Sequence, residues 1–383
     1  MYKRLEQYLE ELQKAQMLRQ LPSLRVRGSE IELDGRRLLN LSSNDYLGIA
    51  SRGDFRDEVL GDVAELGGAG STSSRLMTGN FGEYECLESL MMKRFGREAA
   101  LIFGSGYHMN LGILPALAST KTVVLADRLI HASMIDGIRL SGCRFERWRH
   151  NDLEHLQRLL RKYASSPEII VMVESIYSMD GDEADLSALV ALKHRYPQIR
   201  LYVDEAHAIG VRGATGLGLA EETGTIGDID FLLGTFGKAL ASMGGYLICD
   251  ELVKRYLINR CRSLIFSTAL PPLSVRFSRR VFEALPLYRP QRELVAAHTA
   301  KLHDALADLG LSTPSSSHIV PIIVGGADNA VRLTEQAKVL GYYTLPIRPP
   351  TVPEGSCRLR LSLTSETDIT AFIRDLPVLL AAL

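Results

Sequence analysis

Short apolar runs alternate with helical stretches through the central part of the chain. The runs are AALIF at 99–103, TVVLA at 122–126, EIIVMVE at 168–174, RLYVD at 200–204 and FLLGTF at 231–236. Helical stretches begin at about residues 107, 132 and 185. Strands that are buried on both faces and alternate with helices are typical of a mostly parallel sheet. The pattern therefore predicts an α/β domain.

The two ends of the chain have a different pattern. Apolar residues recur at helical spacing over 1–21, and Asp34-Gly35 predicts the tight turn of a hairpin. After about residue 270 the chain becomes largely helical, with apolar strands at 318–324 and 356–364 and a last helix that ends at Leu383. We therefore predict an N-terminal arm over 1–40, a large α/β domain over 41–280 and a smaller α+β domain over 281–383.

Composition narrows the class of protein. The 383 residues are 46% hydrophobic with a formal net charge of -1, which suits a globular protein. This charge gives no reason to expect nucleic acid or an anionic membrane as a partner, and no apolar run reaches the ~20 residues of a membrane span. The five cysteines are scattered without a CxxC pair, which favours reduced thiols in a cytoplasmic protein over disulfides or zinc.

A pair of glycines follows the run at 99–103. Gly104 and Gly106 stand at the start of a helix, where free backbone N–H groups favour a phosphate. They also open the G-x-G-x-x-G pattern of a dinucleotide-binding turn, with Asp127 placed as the ribose-binding acid. Met109 occupies the third glycine position, so that pattern is broken. A phosphate site and a tight turn without a ligand both remain open at this point.

Ionisable residues follow two further apolar runs. Asp204 ends the run at 200–204, where an aspartate either caps a helix or is a buried charge with a partner. A protonated pyridine nitrogen would be such a partner, and His207 could donate to a phenolate oxygen. The same DE-x-H segment would also suit a metal ion. His131, after the run at 122–126, could stack on a ring or stabilise a loop.

One lysine, Lys238, lies among glycines and small residues in LLGTFGKALASMGG at 232–245. A partly desolvated lysine has a lowered pKa and becomes a nucleophile that forms an imine with an aldehyde. A lysine that extends its charged tip into solvent is the alternative. A phosphate-binding turn, an aspartate after one strand and a lysine after another are together the groups that pyridoxal phosphate (PLP) needs.

Six longer motifs span nearly the whole chain. They are LSSNDYLG (41–48), GAGSTSSRLMTGN (68–80), ESIYSMDGD (174–182), VDEAHAIGVRGATGLG (203–218), TFGKAL (235–240) and FSTALPP (266–272). By these motifs and their order the chain resembles the α-oxoamine synthases, which are PLP-dependent acyltransferases. The resemblance implies the PLP-dependent transferase fold type I, which is aspartate-aminotransferase-like, and it implies no metal.

The resemblance also implies a role for each residue that matches a motif. Lys238 would bind the aldehyde of PLP, Asp204 would pair with the pyridine nitrogen and His207 with the phenolic oxygen. His131 would stack on the ring, and these four are the predicted catalytic residues. The phosphate would be bound by Gly106, Tyr107, Ser178 and Thr235, and by Ser267 and Thr268 of the neighbouring subunit. A homodimer with shared active sites is therefore expected.

Substrate residues come from the same comparison of motifs. IRPPTVPEGSCRLRLSLT at 347–364 most resembles the family members that join L-alanine to a pimeloyl thioester in biotin synthesis. Asn44 and Arg348 would receive the amino-acid carboxylate, and Arg19 and Thr351 would meet the acyl substrate. His131 would contact the substrate as well as the cofactor. The carrier of the thioester, CoA or acyl-carrier protein, is left open.

Other functions are compatible with some of these motifs. Glycine C-acetyltransferase, 5-aminolevulinate synthase and serine palmitoyltransferase (SPT) share them within the family. A non-catalytic regulatory or interaction subunit of the same fold belongs to another class, and the presence of Lys238, Asp204, His207 and His131 argues against it. A nicotinamide-dependent dehydrogenase ranks last, because its glycine pattern is broken.

Overall fold

The computed structural model describes residues 1–53, 57, 66 and 70–381, and they divide into two units. The first comprises Met1–Ser51, Met179–Asp182 and Glu293–Leu383, and the second comprises Arg52–Ser178 and Glu183–Arg292. The sequence predicted three consecutive segments with boundaries at 41 and 281. In the structure the N-terminal and C-terminal residues instead belong to one unit. The reason is strand pairing, which joins both ends of the chain in one sheet.

Fourteen strands occur in the described residues. In chain order, β1 to β14 are Arg25–Arg27, Glu30–Leu33, Arg36–Asn40, Ala99–Phe103, Thr122–Asp127, Arg144–Trp148, Glu168–Glu174, Ile199–Asp204, Phe231–Thr235, Gly245–Cys249, Ile319–Gly325, Tyr342–Tyr343, Pro346–Ile347 and Cys357–Ser362.

The helices of the described residues are interspersed among these strands. In chain order, α1 to α13 are Tyr2–Lys14, Gly82–Phe95, Gly106–Leu117, Ala132–Ser141, Leu153–Lys162, Leu186–Arg195, Leu219–Glu222, Glu251–Arg260, Arg262–Ile265, Pro272–Ala284, Arg289–Asp308, Ala327–Val339 and Ile369–Leu380. Short turns of π and 3₁₀ helix lie at Arg75–Gly79, Ile226–Asp228 and Leu285–Tyr288. In the part of the chain described here, no helix is both long and apolar enough to cross a membrane.

The second unit is built around a sheet of seven described strands in the order β4-β10-β9-β8-β7-β5-β6. All neighbouring pairs are parallel except those that involve β10. Every residue of β4, β5 and β10 is buried, and β7 and β8 are buried at all but one position. The predicted, mostly parallel and buried sheet is therefore confirmed.

Two strands of this sheet were not predicted. The edge strand β6 has the sequence RFERW and buries one residue, so it lacks an apolar run. The strand β10 is apolar, but it runs antiparallel between β4 and β9 and breaks the alternation with helices. Local sequence does not show that a strand will insert between two others, because this depends on pairing with distant residues.

The first unit contains two smaller sheets. One has the order β1-β2-β3-β12, and the other has the order β11-β14-β13. The predicted hairpin is confirmed, because Leu33 pairs with Arg36 across Asp34 and Gly35, which both have positive φ. Helices α11, α12 and α13 pack on the second sheet through a core that includes Leu302, Val320, Leu333, Leu359 and Phe372. Helix α13 ends at Leu380, and Leu383 lies outside the described residues.

Candidate active site

A cavity of about 180 Å³ lies at the carboxyl ends of β4, β7, β8 and β9. Ligands of open α/β sheets bind at this edge, outside the ends of the parallel strands. The residues that line the cavity are Gly106, Tyr107, Met109, Asn110, His131, Ser133, Glu174, Asp204, Ala206, Gly234, Thr235 and Lys238. Six of the residues predicted from motifs are thus brought together: Gly106, Tyr107, His131, Asp204, Thr235 and Lys238.

The side chain of Lys238 ends against a histidine. Its Nζ atom lies 2.7 Å from Nε2 of His207, which is buried with 4% of its surface exposed. The turn that carries Lys238 is closed by two backbone hydrogen bonds, from Ala241 N to Lys238 O and from Ser242 N to Phe236 O. An amine held by a buried imidazole at the end of an apolar strand is placed to react with an aldehyde rather than to extend into solvent.

Asp204 ends β8 and is 6% exposed. One carboxylate oxygen accepts a hydrogen bond from Ala206 N at 3.0 Å, and the other accepts one from Asn110 Nδ2 at 3.1 Å. A buried carboxylate requires such donors, because without them its desolvation would be costly. The two bonds hold the carboxylate in one orientation at the wall of the cavity.

Sequence reasoning missed the residues that support Asp204. Asn110, in α3, is 2% exposed and accepts a hydrogen bond from the Tyr202 hydroxyl at 2.7 Å. Its Nδ2 atom also donates to Ser133 Oγ at 3.0 Å, and Ser133 Oγ lies 2.8 Å from Nδ1 of His131. A polar asparagine within the apolar helix sequence GYHMNLGILPAL was the one available signal.

His131 is the N-terminal cap of α4, where its Nδ1 accepts a hydrogen bond from Ser133 N at 3.2 Å. Its side chain keeps exposed surface toward the cavity, which is where a ring could stack. Neighbouring protein atoms partly desolvate the imidazole, and this desolvation lowers its pKa below the ordinary value of 6.5. His131 is therefore neutral at pH 7.

Glu174 at the end of β7 is a second residue that the sequence did not single out. It is 3% exposed, and its Oε2 accepts a hydrogen bond from Ser178 N at 3.2 Å, while Oε1 has no partner. Burial, and secondarily the nearby charge of Asp204, raise the pKa of Glu174 to about 8. The carboxyl group is thus protonated at neutral pH and can donate a hydrogen bond into the cavity.

The start of α3 supplies backbone donors. Ser105 caps the helix by accepting a hydrogen bond from His108 N at 3.1 Å, and Gly106 and Tyr107 are the first helical residues. The first N–H groups of a helix have no intrahelical acceptor and attract anions. Opposite them, the Thr235 hydroxyl donates to Gly244 O at 2.8 Å and accepts from Gly237 N at 3.1 Å. The arrangement suits a phosphate group.

Three other residues predicted to bind the phosphate do not line this cavity within their own chain. Ser178 bonds to Glu174 through its backbone. Ser267 and Thr268 lie beside the strand-like segment at 71–74, where Thr268 forms an isolated bridge with Ser74 and Ala269 N donates to Ser73 O. Gly68 and Ala69, in the motif that leads into this segment, lie outside the described residues.

Four of the five predicted substrate residues belong to the first unit, whereas His131 belongs to the second. Arg19 donates to the Thr351 hydroxyl at 3.2 Å, and Arg348 donates to the backbone oxygens of Gln16 and Leu18. Burial, and secondarily the charge of Arg19, lower the pKa of Arg348. Asn44 is separate from this group and accepts a hydrogen bond from the Tyr46 hydroxyl at 3.1 Å. Two arginines and a threonine are therefore clustered, as an anionic substrate would require.

The residues around the cavity fit PLP. They offer helix N–H groups for a phosphate, a buried carboxylate for a pyridine nitrogen and an amine for an aldehyde. The unpartnered Oε1 of buried Glu174 also indicates that a polar group is to be accommodated there. A metal ion at the DE-x-H segment fits less well. The carboxylate of Glu205 in that segment already accepts hydrogen bonds from Leu219 N, Ala220 N and Ser175 Oγ. Over the described ranges, no group of three or more metal-ligating side chains occurs.

Fold and site together define a PLP-dependent enzyme of fold type I. The chain belongs to the family "Aminotransferase class I and II", whose sequence model matches residues 36–376, and within that family to the α-oxoamine synthases. It is 52% identical over 367 residues to the "Putative 8-amino-7-oxononanoate synthase" of Pasteurella multocida (strain Pm70), and the alignment covers 95% of each of the two chains. This similarity identifies a PLP-dependent acyltransferase.

Solved structures agree with this class. A high-resolution structure of SPT with a PLP internal aldimine has a TM-score of 0.91 and 28% identity, covering 99% of this chain and 96% of that one. The 8-amino-7-oxononanoate synthase of Francisella tularensis has a TM-score of 0.77 at 24% identity, covering 89% and 96%, and supports the fold. The predictions of PLP as cofactor and of the α-oxoamine synthase family are confirmed.

Proposed function

We propose that this protein condenses L-alanine with a pimeloyl thioester to 8-amino-7-oxononanoate, CO2 and the free thiol of the carrier, as a step of biotin synthesis. The observation that carries the proposal is the 2.7 Å contact between Lys238 and His207 in a cavity shared with Asp204, in a chain about half identical to relatives of that name. The proposal also assigns the individual residues their roles.

PLP, when bound, supplies an electron sink that stabilises negative charge on the substrate carbon next to the amino group. Asp204 keeps a positive charge on the pyridine nitrogen, because its carboxylate is buried and held by two donors. Gly106 and Tyr107 would bind the phosphate through their N–H groups, and Thr235 would do so once its hydroxyl turned from Gly244 O toward the phosphate. His131, which lines the cavity, would stack on the ring and orient it.

Lys238 has two tasks in this proposal. Its Nζ atom would hold the cofactor and, with the amino acid bound, would take the proton from Cα of alanine. His207 Nε2, at 2.7 Å, orients the amine for this transfer. A positioned general base contributes about 10²–10⁴ to the rate. The proton is returned from Nζ to the same carbon after CO2 has left.

The clustered cations of the first unit support an anionic acyl substrate. Pimeloyl thioesters end in a carboxylate, and Arg19, Arg348 and Thr351 provide charged and hydroxyl donors for carboxylates. We assign the amino-acid carboxylate to Arg348 and Asn44, and the acyl substrate to Arg19 and Thr351. A homodimer in which Ser267 and Thr268 contact the partner's cofactor phosphate completes the proposal.

The experiment that tests the function is a substrate panel. Purified protein with PLP is incubated with alanine, glycine or serine against pimeloyl-, acetyl-, succinyl- and palmitoyl-CoA, and free thiol and product mass are followed. We expect the highest kcat/KM for alanine with pimeloyl-CoA. A higher kcat/KM for glycine with acetyl-CoA, or for serine with palmitoyl-CoA, would show that the protein is a different α-oxoamine synthase.

A further inference from the structure

Five polar groups around the cavity form one continuous chain of hydrogen bonds. It runs from the Tyr202 hydroxyl to Asn110, from Asn110 to both Asp204 and Ser133, and from Ser133 to His131. Asn110, Ser133 and Tyr202 are each at most 2% exposed. Because water does not reach these three side chains, the direction of each bond that they make follows from which atoms carry protons.

The amide of Asn110 can take only one orientation. A carboxylate such as Asp204 has no proton to donate, so the atom of Asn110 that faces it at 3.1 Å must be the donor Nδ2. The oxygen Oδ1 then faces Tyr202 at 2.7 Å and accepts from the hydroxyl. Burial raises the pKa of Tyr202 far above its ordinary value, so the hydroxyl keeps the proton that it donates.

The second proton on Nδ2 sets the direction of the remaining bonds. It points to Ser133 Oγ at 3.0 Å, so Ser133 accepts there and directs its own hydroxyl proton to Nδ1 of His131 at 2.8 Å. The backbone N–H of Ser133 also donates to Nδ1. Two donors on Nδ1 leave the proton of the neutral imidazole on Nε2.

We propose that Asn110 is a positioning residue that holds the carboxylate of Asp204 and, through Ser133, selects the Nε2–H tautomer of His131. One amide thereby orders two groups that our proposed function places against the cofactor ring, the carboxylate at its nitrogen and the imidazole at its face. The expected effect on PLP binding rests on the proposed function, whereas the hydrogen bonds themselves do not depend on it.

The test compares variants of the full-length protein by two measurements. ¹⁵N NMR of protein with ¹⁵N-labelled histidine reports which nitrogen of His131 carries the proton, before and after addition of PLP, with His131→Gln used to assign the signal. Fluorescence titration reports the Kd of PLP.

In Asn110→Leu we expect a population of the Nδ1–H tautomer, because the Ser133 hydroxyl becomes free to accept from Nδ1. We also expect the Kd of PLP to rise roughly 10-fold or more, because a charge-assisted bond to Asp204 is lost. The matched control is Asn259→Leu, an exposed asparagine of α8, which should change neither.

A double variant separates positioning from packing. Asn110→Leu leaves the buried Tyr202 hydroxyl without an acceptor, which lowers stability by itself, and adding Tyr202→Phe removes that hydroxyl. We expect the double variant to regain stability in urea while the changed tautomer and the raised Kd persist. A return of both to wild-type values would overturn the inference, since Asn110 would then serve only to satisfy Tyr202.

Two further variants cover the remaining outcomes. Ser133→Ala interrupts the chain beyond Asn110, so it should leave the Kd of PLP nearly unchanged, and the Nε2–H tautomer should persist because the backbone N–H at position 133 still donates to Nδ1 of His131. An Nδ1–H signal in Ser133→Ala would overturn the inference, since no acceptor for that proton would remain. Asp204→Asn tests the proposed function separately: if its Kd for PLP equals that of the wild type, the role of Asp204 is wrong, while the tautomer measurement still decides the role of Asn110.

Discussion

Nζ of Lys238 lies 2.7 Å from Nε2 of His207, so the amine and the imidazole share one hydrogen bond at the carboxyl end of the sheet. Asp204 precedes His207 by three residues and is held by Asn110 and Ala206. The nucleophile and a buried carboxylate therefore line one cavity, and the nucleophile is hydrogen-bonded to His207, although the three residues come from two different strand ends.

Lys238→Ala should abolish both catalysis and the visible absorption of the cofactor bound to lysine. The variant lacks the amine that holds PLP and that takes the substrate proton, so turnover should fall by more than about 10³-fold. Thiol release and the absorption spectrum measure the two effects. Lys121→Ala, at an exposed lysine of the same unit, is the matched control. Retention of turnover by Lys238→Ala would rule out the proposed mechanism.

Glu174→Gln should stabilise the cofactor-free protein at alkaline pH. The folded pKa of Glu174 is about 8 against an ordinary value of 4.5, so the unfolded chain releases this proton at lower pH than the folded one. The wild type consequently loses stability as pH rises from 4.5 to 8, by an amount of about 5 kcal/mol, and glutamine removes this loss.

Urea unfolding at pH 4, 7 and 9 measures this difference. The variant and the wild type should differ least at pH 4, where the carboxyl is protonated in both folded and unfolded chains, and most at pH 9. Glu154→Gln, an exposed glutamate of α5, is the control. A difference that is independent of pH would mean that Glu174 is ionised in the folded protein.

Gly137→Ala should disturb the cavity through α3. A Cβ atom at Gly137 in α4 would lie 2.4 Å from the backbone oxygen of Asn110, which cannot move without shifting the whole helix. We expect a loss of about 1–3 kcal/mol of stability, as for other overpacked positions, together with weaker PLP binding. Thermal unfolding and PLP titration test this. Gly82→Ala, which meets nothing within 4 Å, should change neither; equal effects of the two substitutions would contradict the argument.

Subunit mixing should test the proposed shared sites. Ser267→Ala/Thr268→Ala and Lys238→Ala should each give poorly active homodimers. If Ser267 and Thr268 serve the partner's cofactor, a hybrid dimer contains one site with neither change, and equal mixing restores about a quarter of wild-type activity. Activity is measured after the variants are unfolded and refolded together, with separately refolded variants as controls. Absence of any recovery would assign each site to a single subunit.

Much of the fold could be predicted from the sequence, because its signals are local. Buried parallel strands need unbroken apolar runs, and the runs that end at Phe103, Asp204 and Phe236 show this directly. The turn at Asp34 and Gly35 needs positive φ at both positions, for which these residue types are suited. Reactive residues such as Lys238 can be recognised for the same reason, since a charged residue type among apolar neighbours is itself a local signal.

Only the tertiary structure decided which groups support these residues. Asn110 and Tyr202 are 92 positions apart, and Asn110 and Asp204 are 94 apart, yet both pairs are hydrogen-bonded. No local pattern encodes such contacts, because they arise when α3 packs beside the ends of β8. The ionisation of Glu174 was likewise hidden, since its pKa depends on burial and on the charge of Asp204. The sequence by itself thus determined which segments form buried strands and which reactive residue types follow them. Packing determined the orientation, protonation and hydrogen-bond partners of those residues.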